Sequence, residues 1–357
     1  MATVMLAPAI VPASVAAQPA PPPLPANAQV VAGGLLNPRG FAWGSDGKLY
    51  VAEAGSPPAG YKPPQGLPPA DAPPVINNNG RISRIDDSGA RTTIADGLPT
   101  MVGPLGDMLG PAGVAFVGDT LYAIISAGPK HGHPDFAGGV YEIGMDGSVS
   151  LVADTDAYNV ANPPISCSHC GGAGDELSNP YDILALDGKL YITDGNKDVI
   201  HVVDPAAPEG ERISRLADVS PGGHKVLTGL SLGTDGNLYA TNLGPLPFRA
   251  GVGMVRQITL DGEVSEISAG LTAATGIAIA SDGTMYVTEI AMSTGGQPPF
   301  LAPPGRVVIA ADDATGPVAT PLMFPTITRI GPDGALYVAN FSVGGDQGNG
   351  SIVRVNT

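Results

Sequence analysis

The sequence predicts an all-β fold, a six-bladed β-propeller with four-stranded blades. Three observations predict it: a hairpin phrase in six copies, two strand-like runs after most copies, and an amino-terminal strand matching one the last copy lacks. The hairpins read GFAWGSDGKLYVAE, GVAFVGDTLYAII, DILALDGKLYITD, GLSLGTDGNLYATN, GIAIASDGTMYVTE and ITRIGPDGALYVAN. Each is an alternating apolar strand, a tight turn of Asp and Gly, and a second strand opening on Leu-Tyr or Met-Tyr. Their tyrosines, Tyr50, Tyr122, Tyr191, Tyr239, Tyr286 and Tyr337, lie 72, 69, 48, 47 and 51 residues apart. The last three steps match the roughly 40 to 50 residues of a four-stranded blade.

Third strands begin near Gly80, Gly139, Val199, Met254, Arg306 and Ser351. Fourth strands read ARTTIADGL, SVSLVADT, RISRLADV, EVSEISAGL and PVATPLM, and the sixth blade has none of its own. AQVVAGGL, from Ala28, has that pattern and runs into the first hairpin. Pairing Val30 and Val31 with residues 352–355 closes the ring and removes two open sheet edges, which would otherwise invite aggregation.

Composition agrees. Fifty glycines and 37 prolines in 357 residues supply the turns that many short strands need. With 17 basic against 33 acidic residues the formal charge is −16, a surface that repels phosphate backbones and argues against nucleic acid. No apolar run reaches the roughly 18 to 20 residues of a membrane span, so a soluble monomer is expected. The propeller domain is read as 28–357.

Residues 1–27 differ in character. MATVMLAPAIVPASVAAQ is small and apolar, offers Val15-Ala16-Ala17 as a cleavage pattern, and precedes the proline-rich PAPPPLPA, but no Lys or Arg stands near its start. Either the true start lies upstream and the signal is clipped, or the segment is a disordered apolar tail; export to the periplasm or medium is the expectation, on the cleavage pattern.

In a propeller the loops joining strands two and three share one face with the blade-to-blade crossovers. The long insertions, 54–79, 127–138, 156–178, 243–253, 291–304 and 343–350, fall on that face, whereas the opposite turns are tight except at 204–211. Loops on a rigid scaffold carry binding and catalysis, so this face is the expected working face.

Two rings of residues follow from aligning the hairpins. Arg39, Ala112, Tyr181, Thr228, Thr275 and Thr326 precede the innermost strands and surround the channel mouth, with Asp182 beside them as a lone carboxylate. The threonine hydroxyls either face a ligand or bond neighbouring blades; Arg39 offers a fork suited to carboxylate or phosphate. Glu53, Ile125, Asp194, Asn242, Glu289 and Asn340 end the second strands. The oxygens of Glu53, Asp194, Asn242, Glu289 and Asn340 are candidate ligands for Ca²⁺, or else satisfy local turn amides.

His131 and His133 with Asp135, and His169 with Asp175 and Glu176, sit in two insertions as weak candidates for Zn²⁺ or acid–base work, solvated loop histidines being the alternative. His201 alternates within a strand and reads as structural. Cys167 and Cys170, the sole cysteines, are expected to form a disulfide in an exported chain; a redox pair and half of a metal site finished by His169 or His133 are the alternatives. Phosphate loops, nucleophile elbows and zinc-helix motifs are absent.

The stretches LSNPYDILALDGKLYITDGNKDVIHVVD, LTGLSLGTDGNLYATNLGPLPFRAGVGMVRQITLDG and TGIAIASDGTMYVTEI resemble the ScyD/ScyE family, secreted propellers associated with scytonemin gene clusters in cyanobacteria. The resemblance spans most of the chain and implies a periplasmic or extracellular propeller, with no established reaction. Asp182 replaces the family's usual Gly, Asn242 a usual acid, and SCSHCGG an Asn-Pro-Asp-Gly-like run. The expected function is a non-catalytic binding or scaffolding protein. Its loops, with Tyr61, Tyr158, Phe248 and Phe300, would hold a small molecule, glycan or protein. The alternative is a Ca²⁺-dependent or acid–base enzyme, lactonase, hydrolase or lyase-like, with its site at the channel mouth.

Overall fold

The computed structural model describes residues 22–62, 73–103, 106–166, 178–294, 301–310, 316–343 and 348–357. Each apolar hairpin becomes the inner half of an antiparallel sheet, and six such sheets follow one another in chain order as the blades of a propeller. Blade 1 holds Pro38–Trp43, Leu49–Glu53, Val75–Ile85 and Arg91–Val102, plus the short Met108–Leu109; blade 2 holds Pro111–Val117, Thr120–Ile125, Gly139–Ile143 and Val149–Asp154. Blade 3 is built from Pro180–Leu186, Lys189–Asp194, Val199–Val203 and Ile213–Asp218, and blade 4 from Leu227–Leu232, Leu238–Asn242, Gly253–Ile258 and Val264–Leu271. Blade 5 takes Ala274–Ile279, Met285–Glu289, Gly305–Ile309 and Pro317–Leu322. Blade 6 takes Thr328–Ile330, Leu336–Asn340 and Gly350–Val355 and receives Ala28–Leu35 as its outermost strand.

The seam pairs Val30 with Val353 and Ala28 with Val355, as expected from the matching patterns, while Val31 falls at a register shift between Val30 and Ala32. Asn27 locks it: its Nδ2 donates to Val318 O and Asn356 O at 3.0 Å, and Asn356 N donates back to Asn27 O at 2.9 Å. The core lies between blades. Tyr50, Ala52, Ile82 and Leu98 of blade 1 interlock with Val114, Leu121, Ile125 and Tyr141 of blade 2, and comparable clusters recur around the ring.

The Asp-Gly turns work through their own atoms. Asp46, Asp235, Asp282 and Asp333 each accept the N–H two residues on, at 2.9 to 3.1 Å, while the glycine after each adopts a φ of 72° to 88° that a side chain would strain. In three of these turns the hairpin tyrosine donates to the second carboxylate oxygen, Tyr50 to Asp46, Tyr239 to Asp235 and Tyr337 to Asp333.

Two departures from the sequence reading concern insertions. The third strand of blade 1 begins at Val75, not near Gly80, because Val75, Ile76 and Asn77 find ladder partners in Val102, Met101 and Thr100. A run of asparagines reads as a turn until a partner strand supplies its hydrogen bonds. The insertion after blade 2 opens on a helix, Thr155–Ala161, capped by the Asp154 carboxylate accepting Ala157 N. The segment 1–21 and the cysteine pair Cys167 and Cys170 lie outside the described residues. No helix among the described residues is long and apolar enough to cross a membrane.

Candidate functional site

All six residues of the first ring are buried at the starts of the innermost strands. The threonine hydroxyls go to neighbouring blades: Thr228 donates to Ala274 O at 2.9 Å, Thr275 to Thr326 O at 3.3 Å, and Thr326 to Arg39 O at 3.2 Å. Thr193 extends the series to Thr228 O at 2.5 Å. A hydroxyl in each of blades 3 to 6 thus staples the inner strand to its successor, and these threonines hold the ring together around the mouth.

Arg39 and Tyr181 are arranged differently. The Arg39 guanidinium carbon stands 4.9 Å from the Tyr181 ring centroid, and Nη1 donates to Met108 O at 2.8 Å. Arg39 is only 4% exposed, makes no ion pair among the described residues, and its Nε has no hydrogen-bond partner. A buried cation without a carboxylate is costly, so such a group is ordinarily paired. Burial raises the Tyr181 phenol above the ordinary tyrosine range, Arg39 opposes the shift, and the Asp182 and Asp107 charges add to it. Tyr61 is raised for the same two reasons, burial and Asp107, and packs on Ala54, Val102 and Met108. Tyr181 and Tyr61 thus both feel the Asp107 charge, and Tyr61 packs on the Met108 whose carbonyl Arg39 holds.

Deeper in, Asp182 meets Arg329. Arg329 of blade 6 reaches Asp182 Oδ1 of blade 3, which also accepts Ile183 N, while Asp182 Oδ2 accepts Leu230 N of blade 4, both at 2.8 Å. In a six-membered ring blades 3 and 6 are opposite, so this pair crosses the channel. Hairpin alignment found Asp182 but missed Arg329, which lies within a strand; its signal was a cation in the middle of the short innermost strand Thr328–Ile330.

The second ring closes the strand ends. Glu53 accepts Arg81 Nε at 2.8 Å, Arg81 Nη2 at 2.7 Å and Leu36 N at 2.6 Å; Glu289 accepts Arg306 Nε at 2.5 Å and Thr272 N at 2.6 Å. Asn340 takes Met323 N at 2.7 Å, and Asn242 takes Arg256 Nη1 at 2.6 Å. Asp194 accepts Asn179 N, Lys197 N and Asn159 Nδ2, with His201 Nε2 at 3.4 Å. Burial pushes its carboxyl up, but His201 and those N–H groups outweigh burial and hold it below the usual range. Ca²⁺ at this ring would have to displace these donors. Among the described residues no three His, Cys, Asp or Glu side chains converge to hold a metal.

The loop histidines are not solvated. His131 and His133 are each 6% exposed; Gly128 N donates to His131 Nδ1 at 3.1 Å and His133 Nε2 meets Thr100 O at 3.0 Å. Burial, helped by His133, depresses the His131 imidazole to about 4. His169, Asp175, Glu176 and Phe300 lie outside the described residues. Of the other loop aromatics, Phe248 is buried, Tyr61 is packed in, and Tyr158 makes an edge contact with His201.

No protein-family model and no curated protein matches the chain. Solved structures do. A putative oxidoreductase (glucose dehydrogenase) from Thermus thermophilus is 17% identical, with a TM-score of 0.59 over 94% of this chain and 100% of that one. Virginiamycin B lyase from Staphylococcus aureus is 15% identical, with a TM-score of 0.52 over 92% and 99%. A gluconolactonase from Xanthomonas campestris is 12% identical, with a TM-score of 0.54 over 92% and 89%. At these identities what the chain shares with them is the fold, a six-bladed β-propeller.

Proposed function

We propose that the protein is an exported small-molecule enzyme of the hydrolase or lyase kind, acting at the loop-side mouth of the channel on a substrate whose carboxylate or ring carbonyl is received by Arg39. One observation carries the reading: a guanidinium 4% exposed, without an ion-pair partner among the described residues and with an unpartnered Nε, on a Tyr181 phenol that burial keeps protonated. Two such donors suit negative charge developing on a carbonyl oxygen when water adds to it or a neighbouring bond breaks. The likeness to propellers named as lyase, gluconolactonase and glucose dehydrogenase supports a reaction over a passive scaffold. Export rests on the cleavage pattern at Val15-Ala16-Ala17 and on the ScyD/ScyE resemblance.

Non-catalytic binding is the second reading, favoured by the second ring, whose described carboxylates are all engaged by N–H donors and offer no free base. The experiment is a pH-stat assay of sugar-acid lactones and simple esters, with benzoate binding followed by calorimetry. Turnover lowered about a hundredfold by Arg39→Ala supports the enzyme. Saturable binding without turnover returns the protein to the binding class, and the absence of both removes Arg39 as a receptor.

A further inference from the structure

We propose that Arg329 and Asp182 form the closed floor of the Arg39 site and act as positioning residues, holding the Pro180–Leu186 strand so that Tyr181 stays against Arg39 and the loop-side mouth is the one way in. This rests on the reading of Arg39 as a receptor.

Asp182 occupies a place that holds glycine in four of the other blades and the buried Ile327 in blade 6. The matching residues in four blades are Gly40, Gly113, Gly229 and Gly276, and added Cβ atoms there would collide: 2.7 Å from Ala112 O at Gly40, 2.6 Å from the Gly276 Cα at Gly229, 2.4 Å from Thr326 O at Gly276. Neighbouring inner strands are pressed together at these glycines, and of the two blades that carry a side chain at this level only blade 3 carries a charged one. That group is fully buried and satisfied: Ile183 N and Leu230 N donate to it, and the guanidinium completes its shell.

Arg329 has a matching role. Its Nη1 donates to Thr328 O at 3.1 Å and reaches Leu230 O at 3.5 Å, and its Nη2 reaches Ile183 O at 3.4 Å as well as Asp182. The free edges of innermost strands leave backbone carbonyls facing the channel, and here one planar fork serves carbonyls of blades 3, 4 and 6. Tyr181, one residue before Asp182, joins the apolar cluster of Phe41, Val51, Ile327 and Ile352 from blades 1 and 6. The ion pair below and this cluster above fix a single strand of blade 3, and with it the ring beneath Arg39.

The test is nitration of Tyr181 by tetranitromethane, read by peptide mass, with Tyr239 as internal comparator, alongside calorimetric binding of benzoate. In Arg329→Ala the Tyr181 rate should rise on the order of tenfold with Tyr239 unchanged and the melting transition still cooperative. Arg329→Lys, whose single ammonium cannot serve all three blades, should show a smaller rise; it carries the test if Arg329→Ala does not fold. Benzoate should bind both variants more weakly than wild type. Protection of Tyr181 equal to wild type in a folded Arg329 variant overturns the proposal. Wild type that binds no benzoate, yet shows the nitration difference, overturns the receptor reading of Arg39 and leaves the floor standing.

Discussion

Arg39 of blade 1 lies 4.9 Å from the ring centroid of Tyr181 in blade 3, a contact between blades that are not neighbours. It exists because both residues stand at the starts of innermost strands, Pro38–Trp43 and Pro180–Leu186. The pair leaves a buried positive charge with one carbonyl acceptor, Met108 O.

Replacing Arg39 should therefore cost little stability and much binding. Arg39→Met keeps the apolar stem and removes an unpaired buried charge, and exchanges of that kind are often neutral. Urea unfolding should shift by less than about 2 kcal/mol, while benzoate binding is lost. A large destabilisation without a binding change would mark Arg39 as purely structural.

Glu53 should behave in the opposite way. Its side chain is fully buried, and that of Arg81, which grips it through two nitrogens, is 16% exposed. Glu53→Ala strands Arg81 and the Leu36 N–H, a loss of about 3 to 5 kcal/mol in urea unfolding. The Lys48 and Asp87 pair at the surface is the control, since Asp87→Asn should change stability by less than about 1 kcal/mol.

His131 gives stability a dependence on pH. Its folded pKa is about 4 against 6.5 for the free side chain, so between those values the unfolded chain binds the proton and the folded one does not. Stability should fall as pH drops from about 6.5 to about 4, by about 3 kcal/mol from this group, and level off below. His131→Phe should flatten that window in urea midpoints measured across it; an unchanged slope would mean that His131 is not buried neutral.

Exposed turn carboxylates act lower on the scale. Hydrogen bonds from the Thr284 N–H and hydroxyl hold Asp282 below the usual carboxylate value, and the Ser88 hydroxyl and the Ala90 N–H do the same for Asp86. Their contribution is present above about pH 4 and is lost as pH falls through the depressed values. Asp282→Ala should lower the melting temperature at pH 7, and the difference from wild type should shrink as pH falls through the depressed value.

Removing residues 1–35 should open blade 6 along Gly350–Val355 and give an aggregating protein, whereas removing 1–21 leaves the seam intact. Light scattering and a thermal melt separate the two.

Much of this was legible in the chain. Alternation and Asp-Gly turns fixed the hairpins, the tyrosine spacing the blade count, and the orphan strand at Ala28 its partner at Val353, because period-two patterns and positive-φ turns are local properties. Arg39 and Tyr181 could be placed on one ring by alignment, as could Glu53 and Glu289 on another. What their side chains touch could not be read. The Val75 extension needed Val102 as a ladder partner, and Arg81 needed the register that sets it opposite Glu53.

The sequence by itself determined the hairpins, their number and the strand that closes the ring, since each depends on neighbours a few residues apart or on matching patterns. Only the tertiary structure decided that four threonines staple blades, that the described second-ring carboxylates are spent on arginines, histidine and strand-end amides, and that Arg329 crosses to Asp182. Those outcomes depend on distances of a few ångströms between blades separated by up to 287 residues along the chain, and hydrogen bonds resolve differences of that size while sequence patterns do not.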